Sequence, residues 1–339
     1  MFRYIHGVTH PKLFCVAALF LLAFTASSAC DSYKYFRTGS KKDVQTKPTA
    51  GIAMMGGGSD LDEAFRWLCN KGNAGDFLIL RATGDDDYNP YVKGLCNANS
   101  VATLIIPSHE AAMDPAVAEI ISKAEVVFIA GGDQARYVNF WKDTPAQDAL
   151  NANIKDGRPI GGTSAGLAVL GEFIYGAIHD KDDDNDLTSP EVLRNPYMDR
   201  VTVVHNFLSI PLLKNTLTDS HFAKRDRMGR SLGFLCRIVQ DGWSVHPREI
   251  AVDEKSAVLA EPDGSSKIVG TGKGAYFLEL KKLPEGCSPG KALTIEDVSV
   301  YHAPRNSRFN LNTWSGTGGQ RYPLAVVNGQ LRWPKHLRY

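Results

Sequence analysis

An excess of charge of either sign is what this sequence lacks. Its 38 lysines and arginines stand against 37 aspartates and glutamates, a formal net charge of +1. Composition therefore supplies no cationic surplus for a nucleic acid or an anionic membrane surface, and a nucleic-acid partner is not expected. Long hydrophobic runs are scarce as well. The uncharged stretch from Leu13 to Ala26 is shorter than the roughly 20 residues a bilayer-spanning helix needs, so no stable membrane span is expected. It follows Arg3 and Lys12 and ends in Ser27-Ser28-Ala29, the pattern of a cleaved secretory signal over residues 1–29. Cysteine is sparse, with six in the chain. Cys15 departs with the signal, and Cys30 stands where a bacterial lipoprotein is acylated, so a lipid anchor at Cys30 is the alternative to a free secreted or periplasmic protein. Cys69, Cys96, Cys236 and Cys287 remain, enough for two disulfides in any of three pairings. Their spacing is unlike that of a zinc site, and no metal or cofactor is expected.

What is present is a repeating pattern. Residues 30–49, with Lys41-Lys42 and few apolar positions, read as an unpacked linker. Gly51-Ile52-Ala53-Met54-Met55 is then a short apolar run that breaks at Gly56-Gly57-Gly58, with Ser59 as the expected cap of a helix bearing Leu61, Ala64, Phe65 and Leu68 at helical spacing and ending at Gly72. Phe77 to Leu80 and Ala102 to Ile106 are further buried strands. Asp114-Pro115 opens a helix, Glu125 to Ala130 is a strand ending in Gly131-Gly132, and Thr144-Pro145 with Gln147 starts another helix. Apolar strands alternating with amphipathic helices predict an α/β fold with a three-layer, doubly wound, mostly parallel sheet.

The chain is organised around Pro159-Ile160-Gly161-Gly162-Thr163-Ser164-Ala165-Gly166. G-x-S-x-G after a short strand is a nucleophile elbow, in which flanking glycines let a serine sit at the tip of a tight bend. The glycine breaks at Gly56, Gly131 and Gly161 all fall at the carboxyl ends of strands, the rim where doubly wound folds place their sites. Gly56 to Gly58 lack the spacing of a dinucleotide motif and the lysine of a P-loop, which argues against a nucleotide.

A serine nucleophile needs a base. His221 stands where Leu217-Thr218-Asp219-Ser220 turns into a segment carrying Arg225, Arg227 and Arg230. Three guanidiniums in the first turns of a helix oppose its dipole, and predict a carboxylate-binding patch, or else a charged face paired with Asp219 and Asp226.

Gly162-Thr163-Ser164-Ala165-Gly166, Gly131-Gly132-Asp133-Gln134, Asp219-Ser220-His221-Phe222 with its arginines, and Ile250-Ala251-Val252-Asp253-Glu254 resemble, in order and approximate spacing, the motifs of the cyanophycinases. Those enzymes belong to the serine peptidase family that also contains dipeptidase E. The resemblance covers roughly residues 50 to 280 and implies a fold akin to class I glutamine amidotransferases, of the flavodoxin-like kind. It implies Ser164 as nucleophile, His221 as general base and Glu254 as the acid that orients it, with Asp253 a rival for that role. Ala165 and Gly132 would offer the oxyanion hole, and Gln134, Asp219, Arg225, Arg227 and Arg230 would bind substrate. The activity implied is hydrolysis of β-aspartyl-arginine bonds in cyanophycin, a polyaspartate decorated with arginine, with release of Asp-Arg dipeptides. Ser220 stands where cyanophycinases usually have glutamine, and about six extra residues in the region Gln240 to Arg248 precede Glu254.

Asp180, Asp182, Asp184, Asp186 and Glu191 match some positions of a calcium loop, but Asn185 replaces its glycine. A solvated acidic loop along the approach for an arginine-rich polymer is the other reading. A catalytic domain over residues 50–285 and a small β-rich C-terminal extension over 286–339 are expected. A dipeptidase or isoaspartyl peptidase, an esterase, and a secreted binding protein without turnover are the competing functions, and a homodimer is kept open as the quaternary state.

Overall fold

Backbone hydrogen bonds sort the strands into two sheets. The structure, a computed structural model, describes residues 1–2, 32–179, 186–284, 286–336 and 338–339. The expected signal, Cys30 and Asp180 to Asn185 thus fall almost entirely outside the described residues. Among the described residues no helix is long and apolar enough to cross a membrane.

In the first sheet the strands run in the order Lys34–Gly39, Ser100–Ile105, Asp76–Arg81, Val126–Ile129, Ile160–Thr163, Ile52–Met55, Ser256–Ala260, Ser265–Gly270, Arg308–Asn310, Ser315–Thr317. From Ser100–Ile105 to Ile52–Met55 every neighbouring pair is parallel. These are the apolar runs read from the sequence, and they are buried on both faces, as crossover helices require. Two of those helices carry the expected caps. Asp114 accepts from the Ala116 N–H and Thr144 from the Gln147 N–H, each with proline next in the chain. The helix Asp62–Lys71 begins later than Ser59 would place it and has no side-chain cap.

The second sheet runs Gln330–Arg332, Gln320–Val327, Ile295–Ala303, Ala275–Leu280, Arg248–Val252, Thr216–Asp219, Phe173–Tyr175, Val203–His205. Only Thr216–Asp219 with its two neighbours Arg248–Val252 and Phe173–Tyr175 is parallel there. The expectation of one mostly parallel sheet is therefore corrected to two mixed sheets with a parallel core in the first. The reason is local: after Arg248 the strands follow one another without helices between them, and short connections make antiparallel pairs.

Two further expectations change. Lys34–Gly39 is no linker but an edge strand antiparallel to Ser100–Ile105. The segment after residue 285 is rich in strand but not appended. It supplies strands to both sheets, and Phe309 stacks on Phe277 with ring centroids 3.6 Å apart. Disulfides pair Cys69 with Cys96 and Cys236 with Cys287, at Cα separations of 5.8 and 6.3 Å.

Candidate active site

Ser164 leaves the strand Ile160–Thr163 at φ 53°, ψ −117°, and the four-residue helix Ala165–Ala168 starts at once. A β-carbon at Gly162 would collide with the backbone of Gly166, and one at Gly166 with the backbone of Ile129. Only glycine at both positions lets the serine stand at the tip. Positive φ at a serine stores about 1–3 kcal/mol of backbone strain.

Two other side chains converge on that tip. The Ser164 Oγ lies 2.7 Å from His221 Nε2, and His221 Nδ1 lies 2.8 Å from Glu254 Oε1. Glu254, and not its neighbour Asp253, faces the imidazole. His221 follows the second-sheet strand Thr216–Asp219, and Glu254 follows the neighbouring Arg248–Val252. The serine comes from one sheet and its two partners from the other.

Burial, aided by Arg225 and Arg227 and opposed by the hydrogen bond to Glu254, pushes the His221 imidazole below its ordinary value. The bond from His221 holds the Glu254 carboxyl below its own ordinary value. At neutral pH the ring is then uncharged, as a base must be, and faces a carboxylate suited to stabilise its protonated form. Removing one of the cations should reverse part of the shift. Arg225→Ala is expected to raise the His221 pKa, so that the acidic limb of serine labelling by a fluorophosphonate moves to higher pH. An unmoved limb would remove Arg225 from the electrostatics of the base.

The glycine loops close over this pair. Gly57, at φ +87°, lies so near that a β-carbon there would stand 2.6 Å from His221 Nε2 and Cε1 and 3.1 Å from the Ser164 β-carbon. One at Gly58 would stand 2.8 Å from Glu254 Oε2. On the far side a β-carbon at Gly131 would touch that of Ser164 at 3.4 Å. The hydroxyl of Tyr137 lies 2.9 Å from the Ala130 carbonyl oxygen and 3.1 Å from that of Gly131, fixing this second loop. Sequence reading placed the first loop on the rim and missed its contact with the triad; three successive glycines at a strand end were the signal. Ala165 heads its helix, where the first N–H groups have no intrahelical partner. Gly132 follows Gly131 on the adjacent strand end, and Gln134 opens the helix Gln134–Trp141.

The arginine patch is different from its expected form. The helix is Met228–Gln240, so Arg225 and Arg227 precede it and only Arg230 lies in its first turn. Arg230 and Arg227 are buried and already paired. Arg230 Nη2 lies 2.6 Å and Nε 3.0 Å from the Asp219 carboxylate, and Arg227 Nη1 lies 3.1 Å from it. Asp186, which the sequence placed in the acidic loop, receives 2.7 and 3.0 Å bonds from Arg227 and Arg230. Against the effect of burial, those two arginines hold the Asp186 carboxyl below its ordinary value. Asp219, Arg227 and Arg230 are therefore internal partners of one another and not open substrate contacts. Arg225 alone stays half exposed, 3.7 Å from Asp186. With Glu191 engaged by Thr188 and Arg200, neither described acidic position of the calcium pattern points to an ion. Among the described residues no cluster of metal-ligating side chains is found.

Removing one member of a buried pair strands the other's charge, which costs about 3–5 kcal/mol. Asp219→Ala is accordingly expected to lower unfolding stability by about that amount, read from a denaturant titration. A loss below about 1 kcal/mol would mean that Asp186 alone suffices to balance the arginines.

Hydroxyl, imidazole and carboxylate in series at the rim of an α/β sheet define a class, the serine-type hydrolases. Residues 50–193 match Peptidase family S51. That match spans under half of the chain, and similarity to the relatives below extends beyond it. A cyanophycinase from Trichormus variabilis is 25% identical over 221 residues, 63% of this chain and 66% of that protein. One from Synechococcus elongatus is 30% identical over 155 residues, 45% of this chain and 41% of that one. The chain thus spans slightly under two thirds of the first relative's length. A solved peptidase from an acI-B1 Actinobacterium is similar at 19% identity and a TM-score of 0.46, over 68% of this chain and 91% of that one.

Proposed function

We propose that this chain is an exported serine peptidase of cyanophycinase type, acting through Ser164, His221 and Glu254 by way of an acyl-enzyme. The observation that carries the proposal is the 2.7 and 2.8 Å relay from serine to imidazole to carboxylate. His221 takes the proton of Ser164 as its oxygen attacks the scissile carbonyl, and returns it to the leaving amine. Glu254 keeps the ring in the tautomer with Nδ1–H and stabilises the imidazolium. The N–H groups of Ala165 and Gly132 are the proposed donors to the oxyanion, each worth about 10²–10³ in rate at such sites. Water then releases the acyl group by the same relay. A framework akin to class I glutamine amidotransferases and an N-terminal export signal, with Cys30 lipidation as the variant, belong to the same proposal.

The substrate proposed is the aspartyl-arginine polymer cyanophycin. Release of an intact Asp-Arg dipeptide requires a cut between successive aspartyl residues, whereas a cut at the β-aspartyl-arginine bond itself would release arginine. One observation favours a second reading, a dipeptidase on small aspartyl peptides: of the three arginines only Arg225 is half exposed, enough for one substrate carboxylate. The test is incubation of the purified protein with cyanophycin and with β-Asp-Arg. Dipeptide from the polymer supports the first reading. Arginine from β-Asp-Arg with the polymer untouched supports the second, and no product from either, or from other aspartyl dipeptides, removes both.

A further inference from the structure

Asp253 and Glu254 are adjacent carboxylates with different contacts, although either could have served as the acid. Glu254 takes the edge of the imidazole. The buried Asp253 reaches the backbone behind it, its Oδ1 accepting a 2.9 Å hydrogen bond from the Lys224 N–H. That amide belongs to the turn on which His221 itself stands at φ +46°, a left-handed conformation uncommon for residues other than glycine. Backbone bonds also hold the turn, among them His221 N–H to the Gly56 oxygen at 2.8 Å, Arg225 N–H to the His221 oxygen at 2.9 Å, Arg227 N–H to the Phe222 oxygen at 3.0 Å, and Phe222 N–H to the Val252 oxygen at 3.4 Å. Side chains hold both ends of this stretch: Asp219 and Arg227 bond the backbone of Ser220 before the histidine, and Asp253 bonds Lys224 after it.

We propose that Asp253 is a positioning residue for the base. Its carboxylate fixes the backbone of the histidine turn from the same dipeptide whose next side chain fixes the ring. The distance from His221 Nδ1 to Glu254 Oε1 is then set within one short, rigid unit. The role needs an oxygen acceptor at the place of Oδ1, not a negative charge. It deepens the reading of His221 as base and rests on it.

The experiment compares Asp253→Asn, Asp253→Ala and Glu254→Gln with the wild type. Two quantities are read: the rate of Ser164 labelling by a fluorophosphonate, and the low-field proton resonance of His221 Nδ1–H, which reports the bond to Glu254 without any turnover. Thermal unfolding confirms that each variant is folded. Displacement of a catalytic group by an ångström costs on the order of 10²-fold, so Asp253→Ala is expected to label about 100-fold more slowly and to lose or broaden the low-field resonance. Asparagine keeps the acceptor, and is expected to restore labelling to within about fivefold of wild type and to keep the resonance, as a conservative acceptor replacement does. Glu254→Gln should remain impaired. Asn and Ala variants equally impaired would show that charge is required, and wild-type behaviour of the alanine variant would show that the turn stands without Asp253; either overturns the proposal. A wild type that fails to label would instead sink the peptidase reading, while the resonance would still decide the role of Asp253.

Discussion

Ser164→Ala is expected to lower turnover by about 10⁴–10⁶, the range found when the nucleophile of such a relay is removed. The residue does more than carry the hydroxyl, however. Its φ of 53° and ψ of −117° lie in a region that L residues avoid. Serine and alanine both carry a β-carbon into it, so Ser164→Ala should keep the strain and lose only the chemistry. Ser164→Gly should lose the chemistry and release the strain, raising stability by about 1 kcal/mol. Denaturant unfolding of both variants checks this. A glycine variant less stable than wild type would mean that the elbow is not strained, and residual turnover in both would mean that another group attacks the substrate.

Gly57→Ala is expected to have the next largest effect, at a residue with no functional group. Its β-carbon would stand 2.6 Å from His221 Nε2, on the nitrogen that meets Ser164, and the backbone there is at φ +87°. The ring has little room to move, since Glu254 holds its other nitrogen at 2.8 Å. The methyl group must therefore displace the imidazole from the serine, and a loss of about 10²–10³ in labelling rate is expected for a displacement of this kind. Gly94→Ala is the control. Nothing lies within 4 Å of a β-carbon there, and the site is within the helix Tyr88–Leu95, where alanine is favoured by up to about 1 kcal/mol. Equal labelling of the Gly57 variant and wild type would show that the first glycine loop yields to the ring.

How much of this was legible in the sequence depended on range along the chain. The parallel strands and their glycine ends could be read because burial on both faces and a turn are local properties. The helix Gln134–Trp141 was equally local, with Asp133 as its cap and Tyr137, Val138 and Trp141 on its buried side, but it begins directly after a glycine pair that had been read only as a loop. His221 was singled out by the turn and the arginines around it, but its role, and Glu254 altogether, emerged from a resemblance of motifs, since nothing nearby in sequence ties an imidazole or a carboxylate to a distant serine. The pairing of Arg227 and Arg230 with Asp186 joins residues more than forty apart, and no periodicity reports such a contact. Three clustered arginines read either as a site for a ligand's carboxylate or as a face paired with Asp219 and Asp226; the fold pairs Arg227 and Arg230 with Asp219, as the second reading had it, and with Asp186, which neither foresaw. The second sheet was missed for the same reason, because the partners of Thr216–Asp219 and Ala275–Leu280 are set by the assembled chain.

The division of the relay between two sheets bears on what a partial likeness can reveal. The stretch matched by the S51 family, residues 50–193, holds the attacking oxygen and both glycine loops but stops short of the imidazole and its carboxylate. A protein sharing only that stretch would inherit a poised alcohol with nothing to deprotonate it. Whether such a relative is a hydrolase or an inert look-alike is written in the later strands, outside the part by which it would be recognised.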